Sequence, residues 1–494
     1  MNRYCKPAIV ILFALVTLIA GSCTRNFEEL SRNPNASETA LPQALLAPAL
    51  SSVVKSNMSR CRRINNELMQ VTVNYGDTEG KIFRYDIRKS EADYLWNEWY
   101  VEITNFKDMY AFAQTLYSVA NEKVYNTYMG ISLICESWVF SMLTDTYGDI
   151  PYTEACQGRD GILTPAFDRQ EFVYTEIFKK LEQANTLLSD GVDLPEDQVV
   201  CDPVFGGNAL KWRKFANSLY IRLLMRVSAK NESFVASKLA EMIDTNPDNY
   251  PIMASNDDSA VLRWTGETPY ISPFYSMRDE EWRVYPVCEF FADNLNLWND
   301  PRRSKWMVDY EGAYAGIPSG YPVGESVVRK STFLVALKTD PRLGNMMNYA
   351  ELEFLLAEAI VKNYIMGDAA THYENGVEAA FDFWDLTVSA SYLDNPAIKW
   401  DDAEGLDDKM AKIHLQKYYA LFYTDLQQWF ECRRTGYPIL PKGEGLLNNK
   451  ELPSRLNYPV YLQTTNRDNY YAAVAVQGSD EISTKVWWQS GVNE

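Results

Sequence analysis

Apolar residues recur at helical spacing between residues 348 and 361, and after a short break the pattern starts again. Leu352, Leu355, Leu356, Ala359 and Ile360 share one face of the first segment, and Glu351, Glu358 and Lys362 fall on the other. Glu358 precedes Lys362 by one turn, the favourable order for an ion pair on a helix surface. Gly367 is expected to supply the left-handed residue that ends this helix. Asp368 is expected to cap the next by accepting from its free N–H groups. The second helix repeats the pattern with Ala370, Tyr373, Val377, Ala380, Phe381 and Trp384. Such a pair cannot bury its apolar faces alone, so it implies stacked neighbours of the same kind. The expected class is all-α, a scaffold of helix pairs.

The same spacing predicts helices over 41–54, 65–73, 94–120, 125–147, 172–188, 208–227, 233–243 and 413–435. In the third of these, Leu95, Trp99, Ile103, Phe106 and Tyr110 keep one face. In the fourth, Met129, Leu133, Trp138 and Met142 point inward. That helix should stop at Gly148-Asp149-Ile150-Pro151, where glycine caps and proline forbids continuation. The helical scaffold thus covers about 41–245 and 346–436. From about 250 to 345 the texture changes to frequent Pro, Gly, Trp and Tyr without a sustained period. A loop-rich stretch of that length inside a helical body is usually functional rather than connective. An irregular segment, about 437–494, closes the chain, and residues 23–494 read as a single composite domain.

The N-terminus bears on the compartment. Arg3 and Lys6 precede an apolar run from Ala8 to Ala20, then Gly21, Ser22 and Cys23. A basic start, a run too short to span a bilayer comfortably and small residues before a cut site describe a secretory signal over residues 1–22. Cysteine directly after Ala-Gly-Ser resembles the lipobox of bacterial lipoproteins, in which that residue, here Cys23, is lipidated and anchors the mature chain. Thr24, rather than an aspartate, follows it, which by the same resemblance favours the outer membrane. Losing Arg3 and Lys6 from 47 basic residues against 66 acidic ones moves the net charge from −19 to −21. So acidic a chain excludes nucleic acid as a partner and argues against electrostatic attachment to anionic lipid.

Six further cysteines (Cys61, Cys135, Cys156, Cys201, Cys288, Cys432) show no paired-cysteine spacing, so no zinc site is expected. Their disulfide pairing is left open by the sequence, although Cys135 reads as a packed small hydrophobe. The acidic loop Asp401, Asp402, Glu404, Asp407, Asp408 offers oxygens for calcium. Ala403 breaks the EF-hand spacing, however, and the loop reads as a solvated one, with no cofactor expected. His372 and His414 build no catalytic triad.

Tyr and Trp are abundant, at 32 and 13 residues, and their flat faces with polar tips suit amphipathic rings such as sugars. The candidate platforms are those in the irregular stretch: Trp264, Tyr270, Tyr275, Trp282, Tyr310, Tyr314 and Tyr321. Arg278, Asp279 and Arg283 are nearby hydrogen-bonding partners. Tyr94, Trp96, Trp99 and Tyr100 form a second aromatic group, in which Trp99 keeps core register. Asp145 with Asp149, or Glu280 with Glu281, would be the carboxylate pairs of a glycosidase. With 66 acidic residues such pairs arise by chance, and the first lies in a helix-ending turn.

Several stretches together resemble the SusD/RagB family of Bacteroidetes outer-membrane lipoproteins, closest to its SusD-like starch-binding-associated branch. They are the Cys23 lipobox followed by NFEELSRNPN, then TDTYGDIPYTEA at 144–155, NDPRRSKWM at 299–307, YAELEFLLAEA at 349–359, and the run at 455–488. The resemblance implies tetratricopeptide-like helix pairs with an irregular ligand-facing portion and a surface-exposed, lipid-anchored location. It also implies a SusC-like TonB-dependent outer-membrane transporter as partner, a glycan or peptide as cargo, and no enzymatic activity. Two other readings fit the residues alone: an all-α glycoside hydrolase, and a helical-repeat scaffold that takes no small ligand.

Overall fold

The structure is a computed structural model and describes residues 41–76 and 78–489. The lipidation candidate Cys23 and the signal segment lie outside the described residues. The longer helices are α1 (Pro42–Arg60), α2 (Glu91–Leu116), α3 (Glu122–Tyr147), α4 (Gln170–Asp190), α5 (Ala209–Arg226) and α6 (Glu232–Ala240). They continue with α7 (Glu289–Leu297), α8 (Tyr349–Val361), α9 (Ala369–Asp382), α10 (Leu406–Ala420), α11 (Gln427–Thr435) and α12 (Arg467–Gln477). Helices α1 to α5 pack as successive neighbours, and α8 sits between α9, α10 and α5. The fold is all-α, as the periodicity predicts.

Sandwiching explains what amphipathicity alone misses. Helix α3 is buried on every side from Asn126 to Tyr147, because α2 and α4 cover it from both flanks. Likewise α8 has no solvent face: Glu351 and Glu358, expected outside, are fully buried. Glu351 takes a bidentate pair from Arg222 of α5 at 2.6 Å, and Glu358 takes one from Arg434 of α11 at 2.6 and 2.7 Å. Lys362 still reaches Glu358 at 3.2 Å, as its spacing predicts. Asn348 and Asp368 cap α8 and α9 through Glu351 N and Ala370 N. Gly376 lets the hairpin close, since a Cβ there would come within 2.8 Å of the Phe354 ring. The left-handed residue after α8 is Asn363 (φ 58°), not Gly367 (φ 143°).

Three further boundaries differ from expectation. The 65–73 helix ends early, because Gln70 turns left-handed and the β-branched run Val71-Thr72-Val73 extends alongside 286–288. The 413–435 helix is two, α10 and α11, broken where Tyr423 and Asp425 take positive φ without any Gly or Pro to announce it. The closing segment, expected to be irregular, contains α12. All six cysteines among the described residues are free thiols.

The loop-rich stretch is tied at its base by a small antiparallel pair, β1 (Ala260–Val261) against β2 (Asn345–Met347). Its tryptophans act as pins. Trp264 is buried and its Nε1 meets Met58 Sδ at 3.1 Å. Trp282 is buried against Phe274 and donates to the Leu334 carbonyl at 2.9 Å. Tyr321 is buried against Phe83 and its hydroxyl bonds both N and O of Gly76.

One buried carboxyl makes stability pH-dependent. Glu67 accepts from Phe83 N at 3.1 Å, and burial, the largest influence, pushes its pKa up to about 8. The folded-state value lies above the ordinary 4.5, so its contribution is complete below about pH 4.5 and is lost as pH rises through 8. Glu67→Gln should therefore melt like the parent at pH 5 and above it at pH 9. Equal melting temperatures at both pH values would show that the carboxyl ionises freely.

Candidate ligand-binding groove

Helix α1 does not end cleanly at Arg60. It widens into a π turn, Cys61–Asn65, in which Asn66 N–H reaches back to the Cys61 carbonyl. Such turns are rare and often mark functional positions, because the extra residue re-aims side chains. Here the run Arg60-Cys61-Arg62-Arg63 places Arg60 and Arg63 on one surface and turns Arg62 toward the loop-rich portion. Arg60 and Arg63 converge on Glu91 at the start of α2. Arg60 Nη1 lies 3.4 Å from Oε2, Arg63 Nε donates to Oε2 at 2.8 Å, and Arg63 Nη2 donates to Oε1. Burial opposes ionisation of Glu91, but the bonds and charge of Arg63 prevail and hold it below the usual carboxylate range. Arg62 instead donates to the carbonyls of Glu281 and Trp282, with its guanidinium 4.2 Å from the Tyr285 ring centroid.

The first turns of α2 complete the surface. Leu95 and Trp99 face the core, which leaves Tyr94 and Asn97 one turn apart on the opposite face, both exposed. Arg60 covers one face of the Tyr94 ring at 3.8 Å. Asn97 Oδ1 accepts from the hydroxyl of Tyr461, a closing-segment residue. Two concavities meet at Asn97. One, of about 640 Å³, is lined by Arg60, Arg63, Glu91, Asp93 and Tyr94. The other, of about 590 Å³, is lined by Trp96, Tyr100, Val101, Leu163 and Tyr461. The result is an open groove with two half-exposed tyrosines, an exposed amide bonded to one of them, guanidinium donors and an apolar floor. That composition suits an amphipathic, hydroxyl-rich ligand.

The expected platforms are placed differently. Trp264, Trp282 and Tyr321 are corrected to core, since none offers a face for stacking. Tyr310 pairs backbone with Ala313 in a tight turn, and Tyr314 lies 5.4 Å from the Arg303 guanidinium. Neither lines the groove. Tyr270 is half-buried with its hydroxyl toward the Val200 carbonyl, and Tyr275 is exposed. Arg278 is occupied by Glu281 and Asp279 by Lys338, while Arg283 is exposed. In the second aromatic group, Trp99 is fully buried and donates to Asn57, and Trp96 packs among Tyr100, Tyr147 and Tyr458. Only Tyr94 stands out as a platform, beside Arg60, Arg63, Glu91 and Asn97, which composition did not single out. The available signal was a cluster of three arginines in a chain otherwise rich in acid.

The other constellations have structural occupations. Asp145 is buried between Tyr174, Trp488 and Arg226, and Asp149 receives Gln170 N and Arg169. Glu358, His414 and Glu431 lie close enough to share a metal ion, but Arg434 and Lys417 already occupy their carboxylates. In the acidic loop, Asp402 accepts from Trp400 and Glu404 from Lys412. Among the described residues, no helix is long and apolar enough to cross a membrane.

A family model described as SusD-like, starch-binding associating with outer membrane, matches residues 34–459. The chain belongs to the SusD-like family. Solved structures agree on the fold. A SusD homologue from Bacteroides uniformis is 25% identical with a TM-score of 0.78, covering 91% of this chain and 99% of that one. One from Bacteroides fragilis, 24% identical, has the same TM-score and coverage. A chitin-binding SusD homologue from Flavobacterium johnsoniae is 22% identical, with a TM-score of 0.75 and coverage of 91% and 99%. Among curated proteins, none matches the sequence. The helix-pair scaffold of this SusD-like chain is thus the one its sequence resemblance implies.

Proposed function

We propose that this SusD-like protein is a lipid-anchored, surface-exposed component of the outer membrane. It captures a saccharide in the groove around Asn97 and hands it to a TonB-dependent transporter without chemistry. The observation that carries the reading is the pair of half-exposed tyrosines, Tyr94 and Tyr461, flanking an exposed amide on an open groove. Stacking on ring faces plus a few hydrogen bonds is how proteins hold pyranoses. The starch-binding description of the family and a chitin-binding neighbour support a saccharide over a peptide. A non-enzymatic role is supported by the family's description as starch-binding rather than starch-cleaving.

The test uses a soluble form beginning at Thr24, titrated against polysaccharides and peptide pools, with products checked for cleavage. Binding to a saccharide without cleavage is the expected result. Cleavage, or binding confined to peptides, would contradict the reading. Anchoring is tested separately. Cys23→Ala should move the protein from the membrane fraction to the soluble one, and its retention in the membrane pellet would contradict a lipid anchor.

A further inference from the structure

Another concavity, of about 560 Å³, opens between the end of α11, the loop that follows it and residues 483–489. It shares no lining residue with the groove. The protein carries −19 overall, yet here cations outnumber acids. Arg433, Lys442, Lys450 and Lys485 line the cavity, and Glu451 is the one carboxylate among the lining residues. Glu451 pairs with Lys442 at 2.7 Å, and Glu444, outside the lining, pairs with Lys450 at 2.8 Å. Four cations against these two carboxylates leave two, Arg433 and Lys485, without an answering charge on the cavity. Lys485 is exposed and makes no ion pair among the described residues.

Arg433 is the unusual member. It is only 8% exposed, and the rings of Trp429 and Trp488 hold its guanidinium at 4.1 and 4.8 Å from their centroids. Its Nη1 and Nη2 donate to the backbone carbonyls of Ser454 and Asp145, not to a carboxylate. The Asp145 carboxylate is committed to Arg226, Tyr174 and Trp488. Burial, the largest influence, lowers the Arg433 pKa to about 9, so the group still carries its charge at neutral pH. Its Nε is buried without a hydrogen-bond partner. So is Oε1 of Gln489, equally buried and also on the cavity wall. Buried polar atoms in native proteins are normally bonded, so an orphan donor and an orphan acceptor at one cavity mark a site for a ligand that supplies both. An anionic oxygen satisfies a guanidinium N–H, and a hydroxyl satisfies an amide oxygen. The volume is that of a small-molecule site.

We propose that this cavity binds a small hydroxylated oxyanion, a sugar acid or a sugar phosphate. Its anionic group meets Arg433 and Lys485, and a hydroxyl donates to Gln489 Oε1. The site is separate from the groove and does not depend on it. Calorimetry on the form beginning at Thr24 would compare glucuronate and glucose-6-phosphate with neutral glucose. The two charged probes separate carboxylate from phosphate recognition. The expected result is at least tenfold tighter binding of one charged probe than of glucose, with affinity falling as salt rises. Lys485→Glu, a change at an exposed side chain, should lose at least tenfold on that probe. Gln489→Leu should lose severalfold, and Tyr94→Ala nothing. A melting curve for each variant shows that it is folded. Equal binding of the three probes, or binding of none, would overturn the proposal. So would charged-probe binding that survives Lys485→Glu, or that is lost on Tyr94→Ala, which would move the anion to the groove.

Discussion

Arg222→Met is expected to remove roughly 3–5 kcal/mol of stability, the range for a buried pair that loses one partner. Arg222 and Glu351 are both about 1% exposed, and their bidentate pair joins α5 to α8, the two halves of the helical scaffold. Arg222 also donates to the Met346 carbonyl in β2, so the same side chain secures the base of the loop-rich portion. Without it, Glu351 becomes a buried carboxylate with no cation. Such a group binds its proton more readily folded than unfolded, so the deficit should shrink as pH falls toward the ordinary carboxylate range. The double replacement Arg222→Met with Glu351→Leu should recover much of the loss, because two apolar side chains can fill a pair's space. Denaturant unfolding at pH 5 and pH 8 measures both effects. A single mutant as stable as the parent would mean that water reaches the pair.

Tyr94→Ala combined with Asn97→Ala should weaken saccharide binding by roughly thirty- to a hundredfold, with melting temperature little changed. A stacking platform contributes about 1–1.4 kcal/mol and a ligand hydrogen bond about as much again, each roughly five- to tenfold. Both side chains are exposed, so the fold does not depend on them. Tyr314→Ala, away from the groove, should bind like the parent. If Tyr314→Ala instead abolishes binding while the double mutant does not, the ligand surface lies in the loop-rich portion.

The helices were legible because their apolar period is strong, as in α2 and in the α8–α9 hairpin. What pattern could not convey was which polar residues would be sandwiched. Glu351 and Glu358 sit on the polar side of α8 in sequence, and only α5, α10 and α11 turn that side inward. The α10–α11 break was invisible because Tyr423 and Asp425 take positive φ by tertiary constraint rather than by residue type. Two of the expected platforms proved buried for a similar reason. Trp264 and Trp282 have the chemistry of platforms, but a long loop needs anchors, and burying an indole is an effective way to secure one. The groove joins three distant segments, the end of α1, the start of α2 and Tyr461, which no local pattern connects.

The central claim is that this SusD-like chain holds a saccharide at Asn97. A crystal structure with the bound oligosaccharide tests it most directly. The account predicts an intact sugar ring against Tyr94 or Tyr461, with hydroxyls on Asn97 and an arginine of the α1 end. A ring seated at Tyr275, Tyr310 or Tyr314 instead, with the groove empty, would contradict it.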